Sequence, residues 1–368
     1  MLIIGLQIAG FQYLIIYISE EYGFSASQAG LLASVQFIPM FLVPLLFGQM
    51  LDKYPKRIIA GLCALCYAAG SLLIILFHSV VPLIAGIFVI AIGASISPAM
   101  VTVFLAEIAP EKTREYANIV EVFYSLGNVI SPLALSVLIA KGMNWRGLYY
   151  FVLVAGIGIG AVLFFSKVDS GDLIAEAREE EKFRFDLLLI LLIAYAFLYN
   201  MIEMGFMNYC STYFTELFGD DLAAGLSISL VGGSMVISKL ISSRLKTDKG
   251  TVIIISMILS GMSSAMMFIL PGRRLSLVWC LLFGLLTGPS WPTLMSYGIE
   301  LYPSHSGRVT TLIMLGGGIG GMTVGPLMGL LADASGIASS YIIVSASAFA
   351  GALVILLVKK LRVSKRNP

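Results

Sequence analysis

Uninterrupted apolar runs of about twenty residues recur along this 368-residue chain. They cover roughly 1–18, 27–49, 57–78, 80–107, 115–140, 147–166, 186–217, 222–244, 251–271, 275–300, 307–332 and 338–358. A helix of about 20 apolar residues reaches across the hydrocarbon core of a bilayer. Backbone polar groups find no water there, so only helices or closed barrels can cross. The runs lack the period-2 alternation of barrel strands. The pattern therefore predicts an all-α membrane protein of twelve transmembrane helices. Charged residues make up only 12% of the chain, about half the share of a soluble domain, so the apolar excess must face lipid.

The connections between spans alternate in charge. Lys53, Lys56, Arg57, Lys112, Arg114, Arg244, Lys246, Arg308 and the tail from Lys359 to Arg366 lie on one side, and the other side has only Lys141, Arg146, Arg273 and Arg274. Basic loops stay in the cytoplasm, which predicts an integral plasma (inner) membrane protein with both termini cytoplasmic. Its first span begins almost at Met1, without the basic start or small-residue cleavage site of a signal peptide.

A duplication divides the chain. Glu107, Pro110, Arg114, Gly127 and Pro132 recur as Glu300, Pro303, Arg308, Gly321 and Pro326, with the last three at the same spacing of 13 and 5. Gly10, Phe11, Tyr17, Glu20 and Gly23 recur as Gly205, Phe206, Tyr213, Glu216 and Gly219. Span 1 thus matches span 7, and span 5 matches span 11, a parallel repeat of the kind found in secondary transporters. The expected organisation is an N-terminal six-helix bundle over 1–166, a polar cytoplasmic linker over 167–185, a C-terminal six-helix bundle over 186–358 and a basic tail over 359–368.

Gly48, Asp52, Lys53, Lys56 and Arg57, between spans 2 and 3, match the motif G-x-L-x-D-[RK]-x-G-[RK]-[RK]. There the chain resembles the major facilitator superfamily, with Met50 for the usual Leu and Pro55 for the second Gly. The stretch from Phe197 to Glu203, Phe123–Gly127, Pro292–Leu294 and Gly316–Gly321 resemble the fucose/proton symporter-like branch. The resemblance implies two pseudo-symmetric bundles that rock about a midplane site, with proton coupling in many members.

Polar residues inside spans are costly and tend to face a bundle interior or wet cavity. Tyr195, Tyr199 and Glu203 are spaced i, i+4, i+8 and share one face of span 7, with Asn200 and Asn208 beside them. Glu203 lies about 25 Å along that helix from Asp186. A carboxylate at that depth suits the uptake and release of a proton, or else it holds a neighbouring helix by hydrogen bonds. Asn118, Glu121, Ser125 and Asn128 share a face of span 5; Glu121 serves either the cavity or a basic residue at the cytoplasmic side. Gln12 and Gln36 are candidates for binding a hydroxylated solute or for interhelical hydrogen bonds. Trp291, between Pro289 and Pro292, either stacks on a sugar ring or fills a proline kink. Lys239 lies within snorkelling reach of the cytoplasmic surface. Asp52, Arg57, Glu107, Arg114, Glu300 and Arg308 sit at cytoplasmic span ends, where ion pairs can favour one of two bundle arrangements.

These patterns exclude several function classes. The glycine run at 316–321 lies in an apolar span without the lysine of a phosphate loop. Cys63 and Cys66 share one apolar helix with no second ligand pair. No cofactor, metal site or nucleic-acid partner is expected, nor an enzymatic nucleophile–base cluster. The reading is a monomeric secondary transporter of a small organic solute, with a sugar and proton coupling favoured. Drug or metabolite efflux by proton antiport is the alternative, followed by a non-transporting receptor.

Overall fold

The structure, a computed structural model, describes residues 1–47, 56–108, 113–165, 185–242, 247–302 and 305–366. Asp52 lies outside the described residues. The side chains of Glu107, Arg114, Asn118 and Glu121 lie outside them too, although their helices are described. Among the described residues the chain is helical throughout, without a strand. The helices are α1 (Leu2–Tyr22), α2 (Ala26–Val35), α3 (Phe37–Phe47), α4 (Lys56–Leu76), α5 (Val80–Ile108), α6 (Thr113–Ala140), α7 (Gly147–Phe165), α8 (Leu187–Phe218), α9 (Asp221–Ser242), α10 (Lys249–Ile269), α11 (Arg273–Thr287), α12 (Ser290–Leu301), α13 (Ser306–Ser335) and α14 (Tyr341–Arg366).

Eleven spans in the described structure are long and apolar enough to cross a membrane. The second expected span is instead broken at Gln36 into α2 and α3. The break has a local cause, because Pro39 has no N–H to bond the carbonyl of Val35 and is tolerated only in the first turn of α3. The tenth span divides similarly at Gly288–Pro289, between α11 and α12.

The chain forms two compact units, Met1–Tyr22 with Val35–Arg178, and Gly23–Ser34 with Glu179–Pro368. Within unit 1, α1 pairs with α6, α3 with α5, and α4 with both α5 and α7. Within unit 2 the equivalent spans pair the same way: α8 with α13, α9 with α11, and α10 with both α11 and α14. The duplication is therefore one of packing as well as sequence. Gly23–Ser34, by chain order part of the first bundle, packs with the second unit.

Glycine sets the closest crossing in each unit. A Cβ on Gly5 would come within 2.1 Å of the Tyr124 carbonyl oxygen, and one on Gly127 within 2.4 Å of that of Leu2. In unit 2 a Cβ on Gly320 would come within 2.0 Å of the Phe197 carbonyl oxygen. The sequence spacing pairs Gly127 with Gly321; the glycine that meets the α8 backbone here is its neighbour, Gly320.

A buried ion pair ties α1 to the start of α7 in unit 1. Arg146, 5% exposed, donates from both terminal nitrogens to the Glu21 carboxylate at 2.7 Å each. Trp145 Nε1 donates to the same carboxylate at 2.6 Å, and the guanidinium lies 4.2 Å from the Trp145 ring centre.

Candidate solute and proton site

The richest group of polar side chains within a span lies along α8. This 32-residue helix is about 48 Å long, well beyond the roughly 30 Å of hydrocarbon core. Asp186 caps its start by accepting from the Leu189 N–H at 3.1 Å. Gly219, at φ +60°, closes its end, a left-handed conformation that glycine adopts without a Cβ clash.

Tyr195 and Tyr199 are fully buried, with ring centres 6.4 Å apart. Tyr199 also stacks on Trp291, centroids 5.4 Å apart and planes inclined by 29°. Trp291 owes its place to the break at Gly288–Pro289, which starts α12 just before it. Asn200 donates to the Ala196 carbonyl at 3.3 Å. Gly317 leaves room for Asn200 and Trp291, since a Cβ there would come within 2.5 Å of Asn200 Nδ2 and 3.2 Å of Trp291 Cη2.

Glu203 lies one turn beyond Tyr199 and is half-buried. Tyr199 and Lys239 are the polar groups that act on it. The hydroxyls of Tyr195, Tyr199, Ser290 and Thr287 are buried without a hydrogen-bond partner of good geometry among the described residues. Such groups are ordinarily satisfied, so this cluster is chemically suited to water or to the hydroxyls of a solute. The described residues hold no group of ligands suited to a metal ion.

Unit 2 thus brings together Tyr195, Tyr199, Asn200, Glu203 and Trp291. Ser290 and Thr287 were missed by sequence reasoning; their nearness to Pro289 was the available signal. Unit 1 holds the other predicted polar residues. Gln12 is buried in α1. Gln36 sits in the turn between α2 and α3 and shares a cleft of about 10 Å³ with Gln7 and Met40; that is room for about one water. Gln7 was not singled out from the sequence.

The expected gate residues divide. Arg57 is half-buried at the start of α4, and Arg308 is exposed at the start of α13. Glu300 pairs with Lys249 at 3.0 Å and Arg362 at 2.6 Å, and Asp248 pairs with Lys359 at 2.8 Å. These groups line a cavity of about 380 Å³ at one end of unit 2. The hydrogen bond from the Lys359 ammonium holds Asp248 below the usual carboxylate range. Asp248 and Lys249 were not among the expected gate residues, yet the shift of 196 that matches Tyr17 with Tyr213 also carries Asp52–Lys53 onto them.

A family model described as Major Facilitator Superfamily matches residues 1–323 and 248–368. Among curated proteins, the MFS efflux pump atnC of Emericella nidulans is 28% identical over 188 residues, 46% of this chain and 36% of that protein. The chain thus matches about a third of that relative's length. The inward-open xylose transporter XylE of E. coli superposes with a TM-score of 0.79 at 13% identity, over 96% of this chain and 93% of that one. The E. coli fucose:proton symporter FucP superposes with a TM-score of 0.61 at 16% identity, over 97% of both. At these identities the likeness is one of fold.

Proposed function

The chain belongs to the Major Facilitator Superfamily, and from that premise we propose that it is a secondary transporter moving a small organic solute by alternating access, driven by protons. The observation that carries the reading is Glu203. It is an acid in the middle of an apolar 32-residue helix, beside a stacked Tyr199–Trp291 pair and buried hydroxyls without a well-formed hydrogen bond. A buried charge of this kind is expensive, and its cost is offset when the group binds a proton in one step and releases it in another.

In this reading the Tyr199–Trp291 pair is a platform for the apolar face of a sugar-like ring. The hydroxyls of Tyr195, Tyr199 and Ser290, with Asn200, bond the solute's own hydroxyls. Glu203 carries the coupling proton, and Lys239 balances its charge when the proton has left. Glu121, Asn118, Gln12 and Gln36 serve the same pathway from the first bundle, and Asp52, Arg57, Glu107, Arg114, Glu300 and Arg308 form the cytoplasmic gate. The protein works as a monomer in the plasma (inner) membrane, with the basic loops and both termini in the cytoplasm. Its two bundles, 1–166 and 186–358, are joined by the 167–185 linker. Its place within the superfamily is the fucose/proton symporter-like branch.

Proton-driven efflux is the second reading, favoured by the partial sequence match to an efflux pump. Counterflow of labelled monosaccharides and polyols into proteoliposomes separates the two. Exchange of at least one such solute supports the sugar reading. Exchange of cationic dyes alone replaces it with efflux, and exchange of nothing refutes the carrier.

A further inference from the structure

Two thiols from distant parts of the chain meet inside unit 2, in a contact that solute and proton binding do not use. There α8 and α11 face each other through three rungs in antiparallel order. Phe206 of α8 stacks on Phe283 of α11, with centroids 3.7 Å apart and planes inclined by 11°. One turn along, Cys210 Sγ lies 3.6 Å from Cys280 Sγ. After a further turn the Tyr213 hydroxyl lies 3.0 Å from Ser276 Oγ and donates to the Met267 carbonyl at 2.8 Å. Each helix supplies its three residues at i, i+4 and i+7, which is one face. Tyr341 of α14 closes the side of the ladder, edge-on to Phe206 and Tyr213 at 5.1 and 5.3 Å between centroids. All of these side chains are fully buried.

The outer rungs fix the register, so the two sulfurs of the middle rung cannot slide apart and stay in van der Waals contact. Facing thiols held in this way are what a disulfide requires, whereas thiols on distant or diverging side chains cannot join without backbone movement. Closure would replace two S–H groups with an S–S bond. It leaves no charge and no unpaired donor among apolar side chains, where either would be costly. Cys280 lies about 10 Å along α11 from its start at Arg273. In the orientation proposed above, that end faces away from the cytoplasm, on the side where disulfides persist; only this placement rests on the transporter reading.

We infer that Cys210 and Cys280 are a peroxide-oxidised pair that closes to a disulfide and staples α8 to α11. One thiol sulfur attacks a peroxide oxygen: the S–O bond forms, the O–O bond breaks, and the departing oxygen takes the thiol proton and leaves as water. The second thiol then attacks the sulfenic sulfur: the S–S bond forms, the S–O bond breaks, and the hydroxyl leaves with the second thiol proton as another water. The dithiol loses two electrons and hydrogen peroxide gains them. Burial slows the first step. The second is fast, because the resolving thiol is already in contact. The closed loop spans 70 residues, so the staple restricts the unfolded chain strongly.

The test uses the whole protein in nanodiscs, treated with hydrogen peroxide, then unfolded, alkylated and mapped by peptide mass spectrometry. A disulfide joining the Cys210 and Cys280 peptides should form, and the oxidised protein should unfold about 4 °C or more above the reduced one. In Cys280→Ala the disulfide and the gain in Tm should both vanish, and dimedone should capture sulfenic acid at Cys210, because nothing is left to resolve it. Free thiols at both positions, at a dose that oxidises most of an added glutathione pool, overturn the proposal. So do sulfinic or sulfonic acid at either position, or a disulfide mapped to Cys63 or Cys66. A disulfide without a rise in Tm, or an equal rise in Cys280→Ala, overturns the staple. No solute enters either readout, so a failure here is distinct from a failure of the carrier reading.

Discussion

Replacing Glu21 with Gln tests how far unit 1 depends on its buried arginine. Arg146 is 5% exposed and donates two 2.7 Å hydrogen bonds to the Glu21 carboxylate. Its other polar contacts are the Ile74 carbonyl at 3.3 Å and the Tyr22 hydroxyl at 3.1 Å. Removing one partner of a buried pair costs about 3–5 kcal/mol, because the remaining charge is left uncompensated. The Glu21 side chain is 33% exposed, so water recovers part of that, and a loss of about 2–3 kcal/mol is expected. At roughly 2–4 °C per kcal/mol for large domains, Tm should fall by about 4–12 °C in fluorescence-monitored unfolding in detergent. Arg146→Met should cost a similar amount. The double variant should cost little more than either single one, because the second substitution removes a charge already stranded. An unchanged Tm in Glu21→Gln, or fully additive losses, would refute the reasoning.

Three further outcomes follow from the packing and the site. Gly320→Ala forces a Cβ to within 2.0 Å of the Phe197 carbonyl oxygen and should destabilise by about 1–3 kcal/mol or more, whereas Gly158→Ala, with open space around it, should leave Tm unchanged or slightly raised. Tyr199→Phe removes a hydroxyl without a well-formed hydrogen bond, so Tm should hold while solute affinity falls about 2–10-fold; an equal loss of both would make the hydroxyl structural. Asp248 has a folded-state pKa below its ordinary value, so its contribution is complete above the unfolded value near 3.9 and is lost only as pH falls through the folded value. Asp248→Asn should therefore lower the unfolding free energy equally at pH 5.5 and 7.5, by at most about 1 kcal/mol for so exposed a pair, and a penalty present at only one of those pH values contradicts this.

The spans were legible because lipid leaves the backbone no partner but itself, which ties apolar length directly to helix. The repeat was legible for a related reason: equivalent helices pair in equivalent ways, so residues at their crossings recur. Breaks were read unevenly. Pro289 and Pro292 marked the tenth span, whereas the break at Gln36 went unread although Pro39 supplies its cause. Partnerships between distant segments were not legible. Nothing near Glu300 in sequence names Arg362, because the pairing depends on how helices cross. In the site, the helical period placed Tyr195, Tyr199 and Glu203 on one face, but the stacking of Trp291 on Tyr199 needed the seat of α12.

The central claim is that Glu203 carries the coupling proton. Its most direct test is solute accumulation in proteoliposomes under an inside-alkaline pH gradient, comparing the wild type with Glu203→Gln and using counterflow as the control. The account predicts accumulation by the wild type, and loss of accumulation with retained counterflow in the variant. Accumulation at the wild-type level by Glu203→Gln would contradict it.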